Sequence, residues 1–308
     1  MTFASLVAAL LLEQWRPLRS GNRLYGVFAR YVNTIAQYFN AGQYRHGVIS
    51  WLLAVAPVAL ATLIVHWLSH RVSGALVLAW NIAVLYLVLG FRQFSHFYTD
   101  VATALRGNDL ARAREVLTQW RGESGHELTP GEAARVAIEL GLMRSHRHVF
   151  GVMAWFVVLG PAGAVAYRLA ALLNDRWGAA RKAEMVEFGA FAARAFEVID
   201  WLPVRLTALG LAMVGDFMGA VECWREHSKT WCDRGQGIVL AAAAGALGVK
   251  LGGVLHQHGG IEYRPWLGAL DGDEADIDYM QAAAGLIWRA LMLWLFLILL
   301  ATLARSFG

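Results

Sequence analysis

The sequence predicts an all-α, polytopic membrane protein, and three observations carry that expectation. Hydrophobic side chains make up 57% of the 308 residues and charged ones only 16%, against roughly 45–50% and about 25% in a soluble domain. Mean hydropathy is positive, at +0.44. Stretches of the length that crosses hydrocarbon, about 20 mostly apolar residues, recur along the chain, while no strand-length alternation bounded by hairpin turns does. The 13 Trp and 14 Phe fit the same solvent, because aromatic rings gather where hydrocarbon meets headgroup.

The chain opens on an apolar helix over 2–12. It lacks a basic leader region and runs into Glu13 and Gln14 rather than a small-residue cleavage site, so it is read as mature structure. The first predicted span covers 48–68, with Pro57 in its middle and His66 near its end. A second covers 74–91, and the five-residue link, carrying only Arg71, makes the two a helical hairpin. A third covers 149–173, interrupted by Gly160-Pro161 and by Arg168, and a fourth covers 282–303 with Arg289 inside it. Two further apolar stretches, 201–221 and 237–255, hold Arg205, Asp216 and Lys250. Ionisable groups at membrane depth are costly and face protein or water, so these two read as re-entrant or half-buried helices.

Between the second and third spans, 92–148 reads as a soluble helical insert. Leu110, Ala113, Val116, Leu117 and Trp120 form one stripe of an amphipathic helix. Thr129-Pro130-Gly131-Glu132 then supplies an N-cap hydroxyl, a proline at the first helical position and an acid in the first turn, starting a helix that runs to about Ser145. Another polar helix is expected over 181–200. Eight arginines in 92–148 and five in 13–47, against one in the hairpin link, place both larger segments on the cytoplasmic side. The whole of 1–308 is read as one membrane domain with a cytoplasmic helical layer.

The formal net charge of +4 does not mark a nucleic-acid binder, because the 27 basic residues are dispersed and positive loops beside spans explain the excess. The expected partner is the lipid bilayer. Cys223 and Cys232 cannot form a C-x-x-C or a zinc spacing.

Chemistry is best sought in two segments. In the first, Glu197, Asp200 and Arg205 lie near a proline-marked junction where Asp200 can cap a helix that Pro203 helps to start. Two carboxylates and an arginine there can hold a metal ion and phosphate oxygens, or simply form a capped start with an internal ion pair. In the second, Gly245-Ala-Leu-Gly-Val-Lys-Leu-Gly-Gly253, glycines admit phosphate to backbone N–H groups with Lys250 as counter-charge. Gly248 and Gly252 also fit the small-x-x-x-small pattern of packed membrane helices. His66 with His70, His146 with His148, and His256 with His258 read as interfacial or loop polar residues. The acidic run 271–278 lacks the ligand order of a calcium loop and reads as a solvated loop and helix cap.

These residues give the chain its resemblance to the CobD/CbiB family of cobalamin-biosynthesis membrane proteins. F-G-x-x-A-A-R over 188–194, D-W-L-P-V-R-L-T-A-L over 200–209, G-A-L-G-V-K-L-G-G over 245–253 and E-Y-R-P-W-L-G over 262–268 carry it. The resemblance implies an adenosylcobinamide-phosphate synthase of the bacterial inner membrane, multi-pass, that uses ATP and Mg²⁺ to join a corrinoid, adenosylcobyric acid, to a phosphorylated amino alcohol through an amide. It makes Glu139, Glu197 and Asp200 the catalytic candidates. Arg194, Arg205, Gly248, Lys250, Gly252, Gly253 and Arg264 become the candidates for holding substrate or phosphate. The chain also departs from the synthases. Where they carry an E-S-x-A-E-N signature it reads Glu139-Leu-Gly-Leu-Met-Arg-Ser145, and its E-Q-W-R-P-L-R start over 13–19 is similar to the AmpE-type regulators. Those departures support a second reading, a non-catalytic membrane signalling regulator on the same fold.

Overall fold

The computed structural model describes residues 2–16, 23–39, 43–122, 125, 127–178, 186–257, 260–269 and 271–307. Pro17 to Arg19, the 181–185 start of the expected polar helix and His258 lie outside the described residues. Twelve α-helices dominate the described chain: α1 Thr2–Trp15, α2 Arg23–Phe39, α3 Tyr44–Val72, α4 Gly74–Val88, α5 Phe91–Arg106, α6 Leu110–Arg121, α7 Pro130–Ser145, α8 Gly151–Leu173, α9 Val186–Val214, α10 Phe217–His227, α11 Arg234–Leu247 and α12 Ile277–Phe307. One-turn π-helical segments, His146–Phe150 and Asn174–Gly178, bound α8. The described β-structure is two short antiparallel ribbons that no periodicity announces: β1 Leu251–Gly252 with β4 Trp266–Leu267, and β2 Leu255–Gln257 with β3 Gly260–Glu262.

Three helical runs are long and apolar enough to cross a membrane: Tyr44–Val72, Pro130–Gly178 and Ile277–Ala304. The apolar part of the middle run is α8, whose one charged residue is Arg168. Only 22% of the apolar window of the first run and 28% of that of the third are buried inside the protein. Such continuous apolar exposure on a helix is tolerated against lipid and not against water, and the fold is that of an all-α membrane protein. The helices α1 and α4, of 14 and 15 residues, are equally apolar but shorter than the roughly 20 residues that hydrocarbon demands.

The chain forms two compact units. The first holds Met1–Gly90, Arg147–Pro203 and Thr302–Gly308. Its core joins Val32 and Ile35 of α2, Ala54 and Val55 of α3, Leu173 at the end of α8, Trp177, and Phe188 and Ala192 of α9. Close approach is made by small residues. A Cβ on Gly47 would overlap the Phe188 carbonyl, and one on Gly189 the Trp177 carbonyl. Three prolines sit inside helices of this unit, handled in two ways. At Gly160, φ is 67° and Pro161 restarts the helix, so α8 is two pieces joined at a kink. Pro57 leaves α3 unbroken. Its missing N–H frees the Leu53 carbonyl four residues back, and the Tyr31 hydroxyl donates to that oxygen at 2.8 Å. Pro203 leaves α9 unbroken in the same way, with the Trp155 indole N–H donating to the Ile199 carbonyl at 3.1 Å.

The second unit holds Phe91–His146 and Val204–Ala301. Its helix α6 buries Ala113, Val116, Leu117 and Trp120, the stripe expected from spacing. Asp109 caps its start, accepting from the Arg112 N–H at 2.9 Å, and Gly122, with φ 78°, ends it. Phe97 of α5 stacks on Trp120, ring centroids 6.0 Å apart. Tyr98 donates to the Met280 carbonyl at 2.6 Å. Burial pushes its phenol pKa up, so that donor persists through the physiological range. The α10–α11 pair meets glycine to glycine, a Cβ on Gly245 overlapping the Gly219 carbonyl.

Candidate functional site

In the second unit, three charged residues of α7 meet the glycine-rich segment after α11. The helix starts with a complete capping box. The Thr129 hydroxyl accepts from the Glu132 N–H at 3.3 Å, and Glu132 Oε2 accepts from the Thr129 N–H at 2.7 Å. Glu132, Arg135 and Glu139, spaced by three and four residues, fall on one side of α7. The rest of α7 is small and branched apolar, and Ala133, Ala134, Val136, Ala137 and Ile138 are all buried, so the helix is packed around its circumference.

The charges engage the facing segment in reverse order. Glu132 Oε1 lies 2.8 Å from His256 Nδ1 and accepts from the His256 N–H at 3.3 Å. Arg135 donates to the Val254 carbonyl. Glu139 Oε1 accepts from the Gly252 N–H at 2.7 Å, and its two oxygens receive a bidentate pair from Arg264 at 2.8 and 3.2 Å. The segment therefore runs antiparallel to α7, pinned at three successive points.

Arg264 ties the knot further, donating to the carbonyls of Gly252 at 3.1 Å and Gly253 at 3.3 Å. Its guanidinium lies over the Trp231 ring at 5.4 Å, and that of Arg135 over the Trp266 ring at 4.9 Å. The two glycines are required where these layers meet. Gly252 and Gly253 have φ of 75° and 67°, in the region side chains avoid. A Cβ on Gly252 would overlap the Pro265 carbonyl, and one on Gly253 would enter the Trp266 ring.

The sequence candidates separate accordingly. Glu139, Gly252, Gly253 and Arg264 are brought together. Gly248 ends α11 as its left-handed C-cap, φ 69°, so Gly248 and Gly252 do not share a helix and the small-x-x-x-small reading does not apply to them. The stretch 237–255 is helical only to Leu247 and then turns into β1. The Lys250 N–H donates to the Asp273 carbonyl at 2.9 Å and the Gly253 N–H to Pro265 at 3.1 Å, so with Gly252 bound to Glu139 the backbone donors of this run face the protein. The run is a braced loop, not an open phosphate cradle. The acidic stretch caps α12 as expected, Asp276 accepting from the Tyr279 N–H at 2.9 Å.

Arg194 and Glu197 are exposed on the first-unit part of α9. The expected helix start at Asp200 is corrected. Trp155 satisfies the carbonyl that Pro203 frees, α9 continues from Val186 to Val214, and Asp200 is a buried mid-helix acid accepting from the Tyr167 hydroxyl at 2.9 Å. In the same unit Arg147 pairs with Asp175 at 2.9 Å and lies over the Phe196 ring at 5.4 Å. Arg205, in the second unit, is half-buried and feels the like charge of Arg234. His146 and His148 are buried rather than interfacial. The π-helical turn carries the chain from α7 into α8 without a loop, and His146 Nδ1 lies 2.9 Å from the Thr207 hydroxyl. His66 and His70 form an edge-to-face ring pair, centroids 4.8 Å apart, on α3.

Arg135 and Trp231 belong to the cluster and escape sequence reasoning, while Glu132, His256 and Trp266 are met there only as a helix-start acid, a loop residue and part of a motif. A charge every three or four residues on an otherwise Ala- and Val-rich helix is the one signal that points to Arg135. Among the described residues no three His, Cys, Asp or Glu side chains gather to hold a metal ion. Glu139 does not fit that role, since its carboxylate already accepts three hydrogen bonds. Magnesium bound through a nucleotide's phosphates needs only one or two protein carboxylates, so a resident cage is not implied.

No solved structure matches this chain. The CobD/Cbib protein family profile matches residues 2–287. The chain is 35% identical over 303 residues to the "Cobalamin biosynthesis protein CobD" of Stutzerimonas stutzeri, covering 96% of this chain and 97% of that one. It is 36% identical over 257 residues to the protein of the same name from Chromobacterium violaceum, covering 83% and 80%. It is 29% identical over 269 residues to "Cobalamin biosynthesis protein CbiB" of Salmonella typhimurium, covering 83% and 79%. With a family match over nearly its whole length and a 35% identical relative aligned over 96% of it, the chain belongs to the CobD/CbiB family.

Proposed function

We propose that the protein acts in cobalamin biosynthesis as a multi-pass protein of the bacterial inner membrane, joining adenosylcobyric acid to a phosphorylated amino alcohol by an amide bond. The observation that carries this reading is the alignment over 97% of a relative named for that pathway. MgATP enters as a substrate, to activate the corrinoid carboxylate. The chain's own part is to orient two anionic partners and to exclude water from the activated carboxylate. The α7–loop cluster suits the first task. Glu139 neutralises Arg264 and fixes Gly252, giving a rigid scaffold bordered by Trp231 and Trp266. Glu139 serves there as a positioning residue, Glu197 and Asp200 remain proposed catalytic carboxylates, and Arg194, Arg205 and Lys250 remain proposed contacts of substrate or phosphate.

The complete occupation of Glu139, the remaining acid of the synthase-type signature, favours a second reading. In it the fold is kept for interaction, as in a non-catalytic AmpE-like membrane regulator. Purified protein in lipid nanodiscs, given adenosylcobyric acid, aminopropanol phosphate and MgATP, separates the two. The enzyme reading expects adenosylcobinamide phosphate by chromatography with ATP consumed in step. Absence of product from folded, membrane-inserted protein overturns it.

A further inference from the structure

Arg135 stands out when the charges of the second unit are accounted for. Its side chain is only 5% exposed, and a charge at that depth requires partners for most of its donors. The neighbouring acids of α7 are engaged elsewhere. Glu139 is held by Arg264 and Gly252, and Glu132 by Thr129 and His256. Arg135 has one firm hydrogen bond, to the Val254 carbonyl, and its buried Nε–H has no acceptor among the described residues. Glu139 and Glu132 act on it only through space, and the nearest carboxylate without another partner named above is Glu274, which stays 3.9 Å from Arg135 Nη1. That distance is beyond a hydrogen bond. Glu274 itself is 73% exposed, so the contact is loose and solvent-screened.

We propose that Arg135 is the anchor of an oxyanion site for a phosphate monoester, with Trp266 beneath the guanidinium and Glu274 as a displaceable carboxylate in the position the phosphate takes. The geometry has three parts. The Trp266 ring lies against the guanidinium, its centroid 4.9 Å away, the bond to Val254 holds one Nη, and the other, Nη1, is the nitrogen nearest the exposed Glu274. A planar fork with unmatched donors binds a phosphate dianion more strongly than a lone screened carboxylate. The phosphate source, a phosphorylated amino alcohol or the nucleotide, rests on the proposed function. The existence of the site does not.

The test uses the full chain in phosphatidylcholine nanodiscs, titrated with inorganic phosphate, aminopropanol phosphate and MgATP in separate arms. Glu274→Gln removes the competitor and is expected to tighten inorganic phosphate about two- to five-fold, the worth of an exposed ion pair. Arg135→Gln is expected to weaken it by roughly ten-fold or more. Tighter binding of aminopropanol phosphate than of MgATP assigns the amino alcohol as the source, and the reverse assigns the nucleotide. Unchanged or weakened phosphate binding by Glu274→Gln overturns the proposal, as does undetectable binding by both the parent and Glu274→Gln at millimolar phosphate. If Arg135→Gln does not fold, the surface variant Glu274→Gln decides alone. Phosphate binding with these shifts but no amide product leaves the site standing and removes the synthase reading, and product without the shifts does the opposite.

Discussion

Glu139 and Arg264 are held to each other by two hydrogen bonds in a setting where both side chains are mostly buried. Removing either partner strands the other charge, and removing Glu139 also strands the Gly252 N–H. Glu139→Ala is therefore expected to destabilise the second unit by about 3–5 kcal/mol, read by chemical denaturation in detergent. The double replacement of Glu139 and Arg264 by apolar residues is expected to cost less than the two single losses summed, as a double-mutant cycle measures. Additive losses would mean that the pair is not coupled. Gly253 makes a second residue-level prediction. Its φ of 67° and the Trp266 ring against its Cα leave no room for a methyl, so Gly253→Ala is expected to cost at least about 1–3 kcal/mol. Gly260, with nothing near a Cβ and no positive φ, is the control and is expected to accept alanine within about 0.5 kcal/mol.

At the scale of elements, the two prolines that fail to break their helices are the instructive cases. Tyr31→Phe leaves the Leu53 carbonyl without its donor and is expected to destabilise by about 1–3 kcal/mol. In a Pro57→Ala background the restored backbone N–H takes that carbonyl, and Tyr31→Phe should then cost much less. Equal costs in both backgrounds would refute the pairing. The same logic explains what the sequence made legible. The stripe of α6, the Thr129–Glu132 box and the Gly160-Pro161 interruption are local, since their causes lie within a few residues. The continuity of α9 is not local, because the indole that rescues Ile199 comes from Trp155, 44 residues earlier. Asp200 therefore reads as a cap by every nearby signal and is in fact buried against Tyr167. The glycine run is ambiguous for a related reason. Its fate turns on positive φ at Gly248, Gly252 and Gly253, and the partner that fixes Gly252 there, Glu139, lies 113 residues away along the chain, on α7. Arg135 could be noticed as a charge on an Ala-rich helix, but its unmatched donors become visible only when the loop is in place.

For the molecule as a whole, the membrane assignment follows from composition and from the exposed apolar faces of α3 and α12, and it was legible before any packing was known. Alkaline carbonate extraction is expected to leave the protein in the membrane pellet, since helices with these faces do not partition into water. Release into the supernatant would contradict it. The family is also legible from motifs, whereas catalysis is not. The candidate site residues divide between the braced loop with Glu139, the exposed face of α9 and a buried acid, and Glu139, Gly252, Gly253 and Arg264 are joined by direct contacts. The reading proposed for this member of the CobD/CbiB family is that it performs an amide-forming step of cobalamin biosynthesis, and genetic complementation tests it most directly. In a bacterial strain lacking the family's synthase and fed adenosylcobyric acid, the chain is expected to restore cobinamide phosphate and cobalamin-dependent growth. Failure to restore either, with the protein present in the membrane fraction, would contradict it.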